Sequence, residues 1–304
     1  MNTKPPKRRL NGVLLLDKPA GVSSNTALQQ ARRLYRAEKA GHTGVLDPLA
    51  TGLLPVCFGE ATKFAQYLLD ADKAYTATLK LGEQTSTGDA EGEIVARAPA
   101  DIDAAAFQSA CRTWLGAIRQ VPPMYSALKH QGKALYEYAR QGVTIERPPR
   151  DVEIYAIDVS RFAPPQVVMD VRCSKGTYIR TLAEDIARSA GTLAHLSALR
   201  RTATAGFRIE QSHSLEALAA LSEAQRDALL LPCDVLVAHL NACTLDDEAV
   251  RRLRFGQTAA AAATLPEQVP LRTYTAAGEF IGLVRAEAGY LKSLRLMSTA
   301  ADPI

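Results

Sequence analysis

Residues 41–63 read GHTGVLDPLATGLLPVCFGEATK and hold a single carboxylate, Asp47, before Glu60. Gly41, His42, Gly44, Pro48, Thr51 and Gly52 make this segment too rich in turn formers for a helix or the interior of a strand. Pro48 biases Asp47 away from the right-handed helical region, so the backbone there is extended or turning. The apolar run Leu53-Leu54-Pro55-Val56-Cys57 that follows reads as a short buried strand. An acid on a glycine-flanked loop anchored by a core strand is a place for chemistry. The same Asp47-Pro48 pair also reads as a plain turn start, and local spacing leaves both readings open.

Working outward, residues 12–17 (GVLLLD) form a second buried strand that ends in the turn Lys18-Pro19-Ala20-Gly21. Ser24 or Asn25 caps a helix running to about Arg36, with Ala27, Ala31 and Leu34 on its apolar side. Phe64, Ala65 and Leu68 fall at helical spacing. Residues 74–81 alternate, with Tyr75, Ala77, Leu79 and Leu81 on one face and Thr76, Thr78 and Lys80 on the other, which is a strand with one buried face. Residues 82–92 are a polar, hairpin-like connection leading to 94–96.

Asp103 begins a helix stopped by Gly116, and the prolines of 121–129 keep that stretch extended. A short helix covers 133–140, strands cover 152–159 and 167–173, and a helix from about Tyr178 to Ala190 is closed by Gly191. Residues 193–201 and 207–209 are extended, and Ser214 caps a further helix. From about residue 245 the character changes. A charged helix (246–254) leads through an alanine-rich linker (259–263) to short strands at 271–275, 279–285 and 290–297. Hairpins outnumber crossovers, so the expected class is α+β, with a mixed, largely antiparallel central sheet flanked by helices and a small C-terminal β module. The expected organisation is a basic disordered arm (1–10), a catalytic domain (11–244) and a small module (245–304).

The chain of 304 residues is 47% apolar and 22% charged, which excludes wholesale disorder. Its apolar runs fall far short of bilayer length, and no apolar signal core follows the basic N-terminus, so a cytoplasmic chain with no membrane partner is expected. Lys4, Lys7, Arg8 and Arg9 account for the whole net charge of +4. Affinity for nucleic acid must therefore come from local clusters. Residues 172–208 carry an excess of five positive charges, and Lys129, Lys133, Arg140, Arg147 and Arg150 form a second group. Both suit a phosphate backbone, as both suit a solvated surface.

The five cysteines and five histidines are scattered, without CxxC, HExxH or a mixed cluster, so neither a disulfide framework nor a zinc site is expected. No GxSxG elbow, GxxxxGK[ST] phosphate loop or GxGxxG motif is present. An acid on a loop, tyrosines at strand and helix starts, and basic stretches remain. A carboxylate acting without metal or cofactor serves as base or nucleophile.

Five segments together resemble the bacterial TruB family of tRNA pseudouridine synthases: GVLLLDKPAGVSS (12–24), GHTGVLDPLATGLLPVCFGEATK (41–63), DKAYTATLKLG (72–82), VPPMYSALKHQGKALYEYARQG (121–142) and CSKGTYIRTLAEDIA (173–187). They stand in family order and at family spacing. The C-terminal module occupies the place of the family's PUA-like RNA-binding domain, with a looser match. Val45 stands where the family often has a smaller residue, and 259–263 is a local embellishment.

The resemblance implies isomerisation of uridine 55 in the tRNA T loop to pseudouridine, with no cofactor and no metal, by a monomer that also assists tRNA folding. It implies Asp47 as the catalytic aspartate and Arg180 as the arginine that keeps it ionised. Tyr75 is implied to stack on a flipped base, with Tyr178 and Leu199 at the other pocket positions. His42 is implied to fill the space the base leaves, and Lys18 to support the loop and substrate. Each has a plainer reading: Tyr75 as core, Arg180 paired with Glu184 one helical turn on, His42 and Lys18 as turn residues. Two other classes compete, an RNA-folding factor with an incidental loop and an aspartate-nucleophile hydrolase of small molecules.

Overall fold

The computed structural model describes residues 6–298. Strand β1 (Gly12–Lys18) leads to helix α1 (Ser24–Leu34), then β2 (Ala40–His42), β3 (Thr51–Phe58) and β4 (Lys73–Leu81). A side hairpin of β5 (Glu83–Thr85) and β6 (Ile94–Arg97) precedes α2 (Ala104–Thr113) and β7 (Gly116–Gln120). A smaller hairpin, β8 (Lys129–His130) and β9 (Lys133–Ala134), carries α3 (Leu135–Ala139). Then come the long hairpin β10 (Arg150–Ala163) and β11 (Gln166–Cys173), α4 (Ile179–Ser189), β12 (Ala194–Thr204), β13 (Phe207–Arg208), β14 (His213–Ser214), α5 (Leu215–Ala220) and α6 (Glu223–Asp227).

The large sheet runs β14-β1-β3-β12-β4-β11-β10-β7, with β2 on β3 and β13 on β12. Its pairs are antiparallel except β1 with β14 and β12 with β3, so it is mixed and largely antiparallel, as expected. The apolar runs of β1 and β3 are buried on both faces. Leu14, Leu16, Leu54, Val56 and Phe58 join the helical layer, whereas Val13, Leu15, Leu53 and Cys57 join a second core on the opposite face. That double burial is why these strands are continuously apolar and β4 alternates. Helix α4 presents Ile179, Leu182, Ala183, Ile186 and Ala187, spaced three and four apart, to the first core.

The C-terminal sheet comprises β15 (Ala242–Leu245), β16 (Ala259–Ala260), β17 (Pro270–Thr275), β18 (Phe280–Glu287) and β19 (Tyr290–Leu296), with α7 (Asp247–Arg254) inserted after β15. It docks on the large sheet through the second core. Leu283 and Phe280 reach Phe64, with the Phe64 and Phe280 rings 5.3 Å apart. Lys63 donates to the Leu296 carbonyl and the Ser298 hydroxyl, both at 2.9 Å.

Four local expectations change. The turn-rich stretch contributes strand at both ends, β2 and the full length of β3, and Pro55 sits inside β3 opposite Leu15. The helical spacing at 64–68 is realised as two short 3₁₀ turns, Gly59–Lys63 and Ala65–Leu68. Ala259 and Ala260 are not a linker but an edge strand paired with Leu291 and Tyr290. The N-terminal arm is tied down where it is described, and residues 1–5 lie outside the described part. Arg8 donates a backbone hydrogen bond to Arg36, accepts one from Glu38 and forms an ion pair with Asp227, which anchors it against the segment after α1 and against α6.

Candidate active site

Asp47 lies on the loop between β2 and β3, and two anchors hold that loop. The Ser24 hydroxyl, at the start of α1, donates to the Leu46 carbonyl at 3.0 Å and accepts from the Leu46 N–H at 2.8 Å. Lys18 is wholly buried, and its ammonium donates to the carbonyls of Pro19 (2.9 Å), Val22 (2.6 Å) and Pro48 (3.3 Å). All three protons are thereby committed to backbone. Of the expected substrate-binding residues, Lys18 is the one that does not line the cleft; it bridges the turn after β1 and the Asp47 loop, in keeping with the expected support of that loop. Burial pulls its amine down to about 8, against the pull of Asp47.

A cleft of about 700 Å³ opens above this loop, where β4 and β12 meet the N-terminus of α4. Asp47, Tyr75, Tyr178, Arg180, Leu199 and His42 all line it. Arg180 is almost completely buried, while 40% of the Asp47 side chain is open to the cleft. The Arg180 Nη2 lies 2.9 Å from Asp47 Oδ2. The rest of the guanidinium is fixed from behind. Nη1 donates to the Thr87 carbonyl (2.6 Å), Nη2 to the Tyr125 carbonyl (2.7 Å), and Nε faces the buried carboxylate of Asp89 at 3.6 Å. Helical spacing offered Glu184 as a partner. Glu184 instead accepts from Gln84 and pairs with Arg188, because Arg180 points across to the β5–β6 hairpin.

Asp89 was not singled out in the sequence. It sits in the polar connection between β5 and β6, buried, with its carboxylate accepting from the Thr87 hydroxyl at 2.6 Å and the Glu91 N–H at 3.1 Å. Gly88 beside it adopts φ +74°, a left-handed conformation that favours glycine, and packs against the Arg180 side chain. An acid in a glycine-containing turn carries no signal of burial; only the folding of the hairpin onto α4 creates it. Partial burial, which strips water from the charged form, raises the Asp47 carboxyl above its ordinary value. The negative charge of Asp89 adds to that rise, and Arg180 and Lys18 pull it back.

Tyr75 enters from β4 with 7% exposure. Leu199 lies one strand away on β12, opposite Ala77. Tyr178 is the N-cap of α4, and its backbone N–H and carbonyl are both bonded to the Gln120 side chain. His42, on β2, has a buried Nδ1 without a hydrogen-bond partner, and burial lowers its proton affinity, so the ring is neutral near pH 7. Arg140 reaches the cleft from the end of α3, its guanidinium 5.4 Å from the Tyr136 ring centroid.

Arg201 was counted in the sequence only as one charge in a basic stretch. It is the largest fully buried side chain among the described residues. Its Nε donates to the Leu53 carbonyl at 2.7 Å, and Nη1 reaches the Val45 carbonyl at 3.5 Å. Gly52, opposite it on β3, has φ +102°, and a Cβ at that position would fall on the Arg201 backbone. Neither α nor β periodicity flags such a residue.

Among the described residues no group of three or more His, Cys, Asp or Glu side chains is arranged to hold a metal ion. None of their helices is long and apolar enough to cross a membrane.

The comparisons with known proteins agree with one another. The family pattern "TruB family pseudouridylate synthase (N terminal domain)" matches residues 32–179. "tRNA pseudouridylate synthase B C-terminal domain" matches 180–238, and "Pseudouridine synthase II TruB, C-terminal" matches 242–297. The chain is 68% identical over 304 residues to "tRNA pseudouridine synthase B" of Neisseria meningitidis serogroup A, covering 99% of each. It is 54% identical to the protein of that name from Thiobacillus denitrificans, covering 97% of this chain and 99% of the relative. Among solved structures, a Cbf5-Nop10-Gar1 complex contains a chain that superposes with a TM-score of 0.70 at 28% identity, covering 90% of this chain and 78% of that one. An archaeal box H/ACA sRNP Nop10-Cbf5 complex superposes at 0.71 with 24% identity, covering 96% and 88%, a likeness of fold alone.

Proposed function

The chain belongs to the TruB family of pseudouridylate synthases, and on that footing we propose that it isomerises the uridine at position 55 in the T loop of tRNA to pseudouridine. The observation that carries this reading is the pairing of cleft-facing Asp47 with buried Arg180 between Tyr75 and Tyr178.

A uridine stacked inside a folded loop cannot reach a carboxylate on a cleft floor, so it must be flipped out. The Tyr75 ring and Leu199 provide the apolar and aromatic surfaces that hold an extruded base. Neutral His42, near the mouth, fills the space the base leaves, which is a stacking role. A carboxylate at the bottom of an occupied cleft tends to protonate, and Arg180 keeps Asp47 ionised and aimed. The bond between N1 and C1′ breaks, the uracil turns in place, and C5 bonds to C1′. The C5 proton leaves and N1 ends protonated, so atoms and electrons balance without a cofactor. Asp47 is the group that acts on the nucleotide, and Tyr75 is the group that moves the C5 proton.

The basic residues of β8–β9, β11 and the loop after it meet phosphates. The C-terminal module, expected at residues 245–304 and built on the sheet that opens with β15 at Ala242, extends the RNA footprint as a PUA-like module. The enzyme works as a cytoplasmic monomer on the T stem-loop. The test is incubation of the purified protein with a T-arm RNA tritiated at uridine C5, with release counted and the product base mapped. Release with pseudouridine at position 55 is expected. No release, or pseudouridine at another position only, overturns the proposal.

A further inference from the structure

Arg201 is a cation in the cleft with no carboxylate partner among the described residues. Of its side-chain nitrogens, Nε and Nη1 are spent on the Leu53 and Val45 carbonyls, while Nη2 is buried without a hydrogen-bond partner. Burying a guanidinium in that state is costly, because neither an opposite charge nor a full set of acceptors offsets the lost hydration. Of the arginines that line the cleft, Arg180 faces two carboxylates and Arg201 faces none.

The register shows what Arg201 does face. On the antiparallel ladder of β12 and β4, Arg201 stands directly opposite Tyr75, so the two side chains leave the sheet as neighbours on one face. Both are buried and both line the cleft. Burial raises the Tyr75 hydroxyl above its ordinary value, and the Arg201 guanidinium is the foremost group pulling it back.

We propose that Arg201 is the positioning residue of Tyr75: its spare Nη2 is the donor that engages the phenol oxygen when the base is bound and Tyr75 moves the C5 proton. The inference rests on the assignment of Tyr75 to that proton. The same guanidinium also touches the Asp47 loop through the Val45 carbonyl and lies against Gly44, so one buried group ties the tyrosine's position to the loop that carries the aspartate.

A double-mutant cycle separates this role from that of a plain structural clip. Arg201→Gln and Tyr75→Phe are made singly and together. Turnover is read by tritium release at saturating T-arm RNA, with melting temperature and RNA affinity measured alongside. Arg201→Gln alone is expected to lower kcat by about 10- to 100-fold, within the range of a proton-transfer contribution. RNA affinity should stay within about threefold. In the Tyr75→Phe background the same substitution is expected to change kcat by less than about threefold, because the oxygen it served is gone. Equal losses in both backgrounds overturn the inference and leave Arg201 a clip between β3 and the loop. If Tyr75→Phe alone keeps full kcat, the proton assignment of Tyr75 fails, and the inference fails with it. Should Arg201→Gln not fold, Arg201→Lys, which keeps a buried cation but loses the fork, carries the same cycle with a smaller expected loss.

Discussion

The large sheet is built on two different rules. At β1 and β3 both faces are covered, and every interior position from Val13 to Leu16 and from Leu53 to Cys57 is apolar and buried. At β4 and β12 the core face is shared between aliphatic side chains, such as Ala77 and Leu79, and groups that serve the cleft, Tyr75 and Arg201. Their opposite face carries Thr76, Thr78 and Ser197 around an open depression. The first region spends its side chains on stability. The second tolerates a buried guanidinium and a buried phenol, arrangements that stability alone disfavours. The cleft opens where the double cover ends.

Substitutions in the two regions therefore fail differently, and the sharpest contrast is at the extremes. Asp47→Asn is expected to cut turnover by at least about a thousandfold, with melting temperature nearly unchanged. If measurable turnover survives, Asp47 belongs with the structural turn residues and the contrast collapses. Leu54→Ala, in the doubly covered β3, reverses the pattern. It should lose about 2–5 kcal/mol of stability in a denaturant titration, while the protein that remains folded turns over at the parent rate. A fall in kcat without a fall in stability would show that β3 reports directly to the site.

A smaller effect concerns the charge behind the site. In the proposed mechanism Asp47 acts ionised, and its carboxyl is raised, so activity should fall on acidification at a higher pH than for an ordinary aspartate. Asp89 contributes to that rise, so Asp89→Asn should move the acid limb of the kcat–pH profile to lower pH. A shift to higher pH would mean that Asp89 acts on Asp47 only through the position of Arg180. The smallest effect lies on the surface. Arg172→Ala and Lys129→Ala should each weaken RNA binding modestly and reduce the slope of log affinity against log salt by about one. An unchanged slope would place those side chains off the RNA.

Much of the architecture was legible because it follows from local rules. The four-residue apolar run of β1, the alternation of β4, the Asp103 and Ser214 helix caps and the spacing of α4 each report burial or hydrogen bonding within a few residues of sequence. The alanine pair of β16 was misread as a linker for the converse reason. Its strand character exists only because Leu291 and Tyr290 offer it an edge. That Asp47, Tyr75, Tyr178, Arg180 and Leu199 line one cleft was suggested by family resemblance, not by local chemistry, since each has an ordinary structural reading by itself.

Sequence alone determined which strands are covered on one face and which on two, where helices begin, and that one acid stands isolated among turn formers. These depend on side-chain periodicity and backbone preference, which act over a few residues. Only the tertiary structure decided that Arg180 turns away from Glu184 toward Asp47 and Asp89, that the Lys18 ammonium is buried against three backbone carbonyls, and that Arg201 stands beside Tyr75 with a donor to spare. The partners of a buried charge are chosen by which distant segments the sheet brings together, and a residue's own neighbours in the chain do not carry that information.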